Sequence, residues 1–187
     1  MRIRLMHSDD CPHIAAVLNH AIAHGVAHFG TTTTDADEVL GDWQGTREHM
    51  PWLVAQGEDG TFLGFAKASK WKVRQAYDWS VESGIYISDH AQGQGVGRAL
   101  YHMLFMLLAA QGYRIVLAGV TVPNPASERL HESCGFTRVG DIAPAGYKLG
   151  RWVSVRIYQK HLGAFTEPPR IRRVEDVWRE LEEHAQA

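Results

Sequence analysis

The residues best placed to do chemistry lie in one short stretch, Ser88-Asp89-His90-Ala91-Gln92-Gly93-Gln94-Gly95-Val96-Gly97-Arg98, with glycines at alternate positions and an arginine directly after them. Glycine lets the main chain turn through conformations that other residues avoid and approach a ligand closely. Where such a loop opens a helix, the first-turn N–H groups lack intrahelical acceptors and carry partial positive charge, a seat for a phosphate or pyrophosphate. Two common phosphate loops do not fit. A dinucleotide fingerprint starting at Gly93 needs glycine where Arg98 stands, and a triphosphate loop needs Gly-Lys-Ser/Thr where the chain has Gly97-Arg98-Ala99. The pattern that does fit is Gln/Arg-x-x-Gly-x-Gly/Ala, at Gln92, Gly95 and Gly97. A tight strand-to-helix turn without a ligand is the plain alternative.

Other chemistry-bearing residues point nowhere as sharply. His20, His24 and His28 recur every four residues, a spacing for paired metal ligands on a helix, yet no carboxylate or cysteine joins them locally and Gly25 interrupts them. No metal is expected. His131-Glu132-Ser133-Cys134-Gly135 begins like a zinc-protease motif and lacks its second histidine. Cys11 and Cys134 form no Cys-x-x-Cys pair, which supports neither a disulfide framework nor a zinc ribbon and points to a reducing compartment.

The elements that must hold the glycine loop can be read from periodicity. Arg2 to Leu5 is a strand, and Ser8-Asp9-Asp10 before Pro12 supplies a side-chain cap and a first-turn proline for a helix to about His24. A second helix is predicted from Asp35 to His49, weakened by Gly41 and Gly45. Trp52 to Gln56, Thr61 to Ser69 and Trp79 to Ser88 read as an antiparallel meander, the first two joined through Glu58-Asp59-Gly60. After the loop, Val96, Ala99, Leu100, Met103, Leu104, Leu107 and Leu108 keep helical spacing for three turns up to Gln111-Gly112. Ile115 to Val120 is a buried strand, Pro125 to Cys134 a helix stopped by Gly135, and Val153 to Gln159 a last strand. Strand, glycine loop, helix and strand make a crossover, so part of the sheet is expected to be parallel.

Beyond Leu162, Pro168-Pro169-Arg170 reads as a stiff linker, and Val174, Val177, Trp178 and Leu181 as the apolar stripe of a charged terminal helix. This divides the chain into a domain at 1–165 and a linker with helical tail at 166–187. The 187 residues suit one domain with such an appendage, and 19 Lys and Arg against 21 Asp and Glu leave no basic field for nucleic acid or anionic lipid. A polar His7-Ser8-Asp9-Asp10 cluster interrupts the amino terminus before a signal sequence could form, and the greasiest run, Leu100 to Ala110, is too short to span a bilayer. A cytoplasmic protein is expected.

Read together, these segments resemble the GCN5-related N-acetyltransferase superfamily. The glycine loop matches its acetyl-coenzyme A loop. Trp71 to Ser83, Pro123-Asn124-Pro125-Ala126-Ser127 through Phe136, and Gly146-Tyr147-Lys148-Leu149-Gly150-Arg151-Trp152 are similar to the phosphinothricin acetyltransferase-like branch, over roughly residues 2 to 165. The resemblance implies an α/β (α+β) fold, a mixed twisted sheet with helices on both faces, splayed where cofactor and acceptor meet. It implies acetyl-CoA as co-substrate, a small-molecule amine such as phosphinothricin or methionine sulfone or sulfoximine as acceptor, and a homodimer, with the strand Trp152 to Tyr158 and the terminal helix as contact surfaces.

The same resemblance assigns roles. Glu82 matches the general base, needed because an ammonium has no lone pair, and His131 matches a histidine considered catalytic. Strand alternation puts Glu82, Gly84 and Tyr86 on one face and Val81, Ser83, Ile85 and Ile87 on the other. Ile85, Tyr86 and Ile87 would line the pantetheine arm, Gln92, Gly93, Gln94, Gly95, Val96, Gly97 and Arg98 the pyrophosphate, and Asn124 and Ser133 further parts of coenzyme A. Phe29, Lys72, Arg74 and Tyr77 match acceptor-pocket positions, an arginine suiting a carboxylate or phosphinate. The chain departs from the herbicide-resistance enzymes at Gly30-Thr31-Thr32-Thr33-Thr34, in place of Arg-Thr-Glu-Pro, which argues against phosphinothricin as natural acceptor. Acetylation of a protein amino terminus and catalytically silent acetyl-CoA binding are the alternatives.

Overall fold

The computed structural model describes residues 1–186, with side chains to residue 184. Seven strands form one sheet in the order β1-β2-β3-β4-β5-β7-β6: β1 Arg2–Leu5, β2 Trp52–Gln56, β3 Phe62–Lys70, β4 Ser80–Ile87, β5 Ile115–Val122, β6 Thr137–Lys148 and β7 Arg151–His161. β2 to β4 are the expected antiparallel meander, β1 adds to it antiparallel to β2, and β4 runs parallel to β5 across the predicted crossover. Five helices cover the sheet: α1 Cys11–His24, α2 Ala36–Thr46, α3 Val96–Gln111, α4 Pro125–Ser133 and α5 Val174–Gln186.

Alternation along the strands sorts the core into two layers. Leu53, Ala55, Ala66, Ala68, Val81 and Val116 face α3, whose Leu100, Leu104, Leu107 and Leu108 are wholly buried. Trp52, Val54 and Phe65 face the opposite side, against Cys11, Ile14 and Ala15 of α1 and Val39 of α2.

Three expectations need correction. Ser8-Asp9-Asp10 forms a separate 3-10 turn, and Asp10 does not cap α1. Its carboxylate accepts the His7 N–H at 2.8 Å and both arms of the Arg4 guanidinium at 2.7 and 2.8 Å, a bidentate pair that ties β1 to the start of α1. The second helix ends at Thr46 rather than His49. The twelve-residue β6 was not expected at all: it is a polar, mostly exposed edge strand, paired only with β7 and irregular in register at two places, so it leaves no alternation to read.

The terminal stripe is used within the chain. Val174 and Val177 are buried in the α3 layer, with the partly buried Trp178 and Leu181 packed beside them, so the stripe docks on its own fold. The connection to α5 is fastened by backbone bonds from Arg172 to Gln111 and from Val174 to Glu48, and by the Trp79 indole N–H to the Pro169 carbonyl at 2.8 Å.

α4 is anchored by His131, which is 3% exposed. Its Nδ1 lies 2.7 Å from the Ser127 carbonyl and its Nε2 2.8 Å from the Tyr101 hydroxyl, and the ring stacks on Tyr158. With the carbonyl fixing the proton on Nδ1, the Tyr101 O–H donates to Nε2. Burial lowers the His131 pKa from its ordinary 6.5, with the Ser127 carbonyl opposing. Tyr101→Phe removes that donor in a dry site, and urea unfolding is expected to register a loss of about 1–3 kcal/mol. Because the unfolded chain binds this proton more readily than the folded one, the stability owed to neutral His131 is present above 6.5 and is lost as pH falls below it. Unfolding midpoints taken downward from neutral pH are expected to drop accordingly.

Candidate active site

β4 and β5 are hydrogen-bonded neighbours only at Ser80–Ile115, Val81–Val116 and Glu82–Leu117. From Ser83 onward β4 continues beside β3 as far as Ile87, while β5 continues beside β7 as far as Val122, so the two strands part. At the crotch the Ser83 hydroxyl lies 3.3 Å from the Leu117 carbonyl. Parting leaves one edge of β4 with main-chain donors and acceptors that no strand takes up, which an extended ligand can pair with. A cleft of about 2180 Å³ opens along this edge, from the start of α3 across the fork to the sheet face under α1 and α2.

The glycine loop forms one end of it. Gly93 and Gly95 sit at φ 74° and 83°, in the left-handed region, and a Cβ on either would meet open space. Gly97 is needed for another reason: its Cβ would lie 3.0 Å from Leu130 Cδ2, so the absent side chain lets α3 and α4 close together. Gly95 occupies the N-cap of α3 and offers no side-chain cap. Ala99 is the first residue whose N–H bonds back, to the Gly95 carbonyl at 3.1 Å, which leaves the N–H groups of Val96, Gly97 and Arg98 at the cleft. An elongated molecule carrying a diphosphate fits this frame.

The expected cofactor residues are gathered here with one exception. Ile85, Tyr86, Ile87, Gln92, Gly93, Gly95, Val96, Gly97, Arg98, Asn124 and Ser133 all line the cleft. Gln94 does not; its amide donates to the His90 carbonyl at 2.7 Å and braces the loop from behind. Asn124 caps α4, its Oδ1 accepting the Ser127 N–H at 3.2 Å, with its NH₂ left free for a ligand. Ser133 is exposed, its hydroxyl returning to the Leu130 carbonyl at 2.9 Å.

Glu82 stands beside the fork. It lies directly opposite Ser69 on β3, and Oε1 comes 3.8 Å from where a Cβ on Gly119 of β5 would be, so glycine there leaves room for the carboxylate. Burial raises its pKa above the ordinary 4.5, with the Lys72 charge drawing it partly back. Tyr86 shares the face, stacked on Phe65 at 5.5 Å, its hydroxyl pushed up to about 12 by burial and by Glu82. His131 also borders the cleft, but both ring nitrogens are engaged inside the protein, as described above.

The expected acceptor residues are placed differently. Phe29, Lys72, Arg74 and Tyr77 are not among the cleft's lining residues. Phe29 packs against Gly146 of β6, where a Cβ would meet its ring at 2.8 Å, and Lys72 lays its ammonium over Trp71, 4.7 Å from the ring centroid. Arg74 precedes a 3-10 turn at Gln75–Tyr77 and is exposed. On the side of the cleft under α1 and α2, the lining is formed by Trp52, Lys67 and Ser69 of the sheet and His28, Val39 and Asp42 above it. Lys67 was missed because a single lysine in a strand reads as an exposed charge. The histidine row does not form a metal site: α1 ends at His24, His20 stacks on His24, and His28 Nδ1 accepts the Gly30 N–H. Among the described residues no three His, Cys, Asp or Glu side chains gather around a common point.

The comparisons agree with this frame. Residues 14–136 match the model of the Acetyltransferase (GNAT) family. A phosphinothricin N-acetyltransferase of Streptomyces viridochromogenes is 36% identical over 95% of this chain and 96% of its own. An L-methionine sulfoximine/L-methionine sulfone acetyltransferase of Salmonella typhimurium is 33% identical over 90% and 98%. A crystal structure of a phosphinothricin acetyltransferase from Sinorhizobium meliloti in complex with AcCoA superimposes with a TM-score of 0.85, at 32% identity over 90% of this chain and 92% of that one. With the glycine loop, the fork and nearly the whole length shared in this way, the chain belongs to the acetyltransferase (GNAT) family of acyltransferases.

Proposed function

We propose that this protein acetylates the primary amine of a small amino acid or amino-acid analogue, with acetyl-CoA as donor and Glu82 as the group that accepts the amine's proton. The observation that carries the reading is the position of Glu82: a half-buried carboxylate at the last paired residue before β4 and β5 part. Relatives named for phosphinothricin and for methionine sulfoximine and sulfone support the acceptor class.

The donor supplies an activated acetyl thioester; the rest falls to the chain. The N–H groups of Val96, Gly97 and Arg98 take the diphosphate, with the Arg98 guanidinium adding charge, and the open edge of β4 from Ile85 to Ile87 orients the pantetheine arm. At neutral pH the acceptor arrives as an ammonium. Glu82 removes its proton, directly or through water, and its raised pKa brings it nearer the range in which a base works well. A departing thiolate has a conjugate acid of pKa about 8.5 and needs no dedicated proton donor. Phe136 cannot donate one, and His131 acts by holding α4 in place.

Glu82→Gln is expected to lower kcat by about 10²- to 10⁴-fold while the acetyl-CoA Kd from calorimetry stays unchanged. In the wild type, kcat/KM should fall as pH drops through an apparent pKa above the ordinary 4.5, since protonated Glu82 cannot accept a proton, and this limb should vanish in the variant. A Glu82→Gln enzyme with wild-type rate and pH profile overturns the assignment. An acceptor panel of methionine sulfone, methionine sulfoximine, phosphinothricin and peptides with free amino termini checks the substrate class. Turnover confined to the peptides favours protein N-terminal acetylation, and turnover of none favours a binding module.

A further inference from the structure

Behind the cleft, β7 grips α4 with two side chains of one face. Register pairs Arg156 with Val120 of β5, which is buried in the α3 layer, so Arg156 and Tyr158, two residues on, point to the side that α3 and α4 cover. The Tyr158 hydroxyl donates to Glu132 Oε1 at 3.0 Å, and the Arg156 guanidinium donates through Nη1 to Glu128 Oε2, one helical turn earlier on α4. The other two nitrogens of Arg156 turn to the edge strand. Nε and Nη2 lie 3.0 and 3.1 Å from the oxygens of Asp141, its cross-strand partner on β6, and Asp141 accepts a further pair of bonds from Arg138 at 3.1 and 2.6 Å. Isolated surface ion pairs contribute little, but this one belongs to a network with a bidentate arm, and the Arg156 and Glu128 side chains are only 20% and 19% exposed.

Glu128 carries this grip to the cleft. Its Oε1 accepts the Asn124 main-chain N–H at 3.1 Å, while its own N–H bonds the Asn124 carbonyl at 2.9 Å. With Oδ1 taken by the Ser127 N–H, Asn124 is fixed from α4 at three atoms and keeps its NH₂ for a ligand. Asn124 borders the cleft; Glu128 and Arg156 do not. Without Arg156, one Glu128 oxygen loses its partner, the side chain regains rotamer freedom, and the Asn124 N–H loses a steady acceptor.

We infer that Arg156 is a positioning residue for acetyl-CoA: acting through Glu128, it holds Asn124 so that the free amide donates to the coenzyme. The inference rests on the donor reading proposed above. Calorimetry on the full-length protein gives the acetyl-CoA Kd for the wild type, Arg156→Met, Asn124→Ser and the double variant; serine keeps the helix cap and removes the amide donor. Each single change should weaken binding by about two- to tenfold, the range of one hydrogen bond, and the double variant should stay within about twofold of Asn124→Ser, because nothing is left for Arg156 to position. Arg156→Lys, which keeps the charge and loses the planar fork, should recover only part of the affinity. In turnover the change should fall on KM for acetyl-CoA, with the acceptor KM and the kcat at saturating donor within about twofold of wild type. Losses that multiply in the double variant would mean that Arg156 acts on the fold or on the coenzyme's charge without Asn124, and would overturn the inference, as would wild-type affinity in Arg156→Met. Should Arg156→Met fail to fold, Glu128→Met cuts the same link from the helix side, and the same two results decide. A wild type that binds no acetyl-CoA would refute the donor reading itself, and this inference with it.

Discussion

The structure depends on a ladder that stops. Parallel pairing of β4 and β5 lasts for three residue pairs and then gives way, because each strand keeps its other neighbour while diverging from this one. Buried main-chain groups left without partners are costly, and the fork concentrates them where a ligand can supply the missing bonds. The remaining features are arranged around this gap. Gly93 and Gly95 turn the chain from the end of β4 into α3, Gly97 lets α4 approach, and Gly119 clears space for the Glu82 carboxylate.

Strand alternation then separates two jobs. The face toward α3 and α4 is packed with aliphatic and aromatic side chains, and its one buried histidine is spent on holding α4 through Tyr101 and Ser127. The opposite face carries Glu82, Lys67, Tyr86 and Ser69 under the looser cover of α1 and α2. A rigid layer on one side positions the cleft-lining layer on the other. A carboxylate, a cation and an aromatic wall on one side of a sheet differ from each other in position by single cross-strand steps, so small changes in register would scramble them all.

Much of this was legible in the residues themselves. β2 coincides with its predicted span, the stripe from Val96 to Leu108 is α3, and the crossover required the parallel pair that is found. Glu82 and the glycine loop needed the family resemblance for their roles but not for their placement on a strand and at a helix start. What escaped did so for physical reasons. β6 is an edge strand wetted on most of its length, so its sequence carries no periodic burial. Asp10 looked like a helix cap, whereas the bidentate Arg4 of β1, six residues earlier, outbid the helix N–H groups for it. Lys67 stayed hidden because only the cross-strand register of Trp52 and Gly84 shows that a strand lysine points into a cleft. Lys72 and Arg74 are not among the residues lining the cleft, although the Lys72 charge acts on Glu82.

Amide hydrogen exchange, followed with and without acetyl-CoA, tests the fork most directly. If the donor occupies the gap between β4 and β5, exchange should slow at two separate places, along β4 from Ile85 to Ile87 and in the first turn of α3 from Val96 to Arg98. Binding of acetyl-CoA that slows neither set of amides, or that protects the helix start and leaves β4 unchanged, would contradict the account.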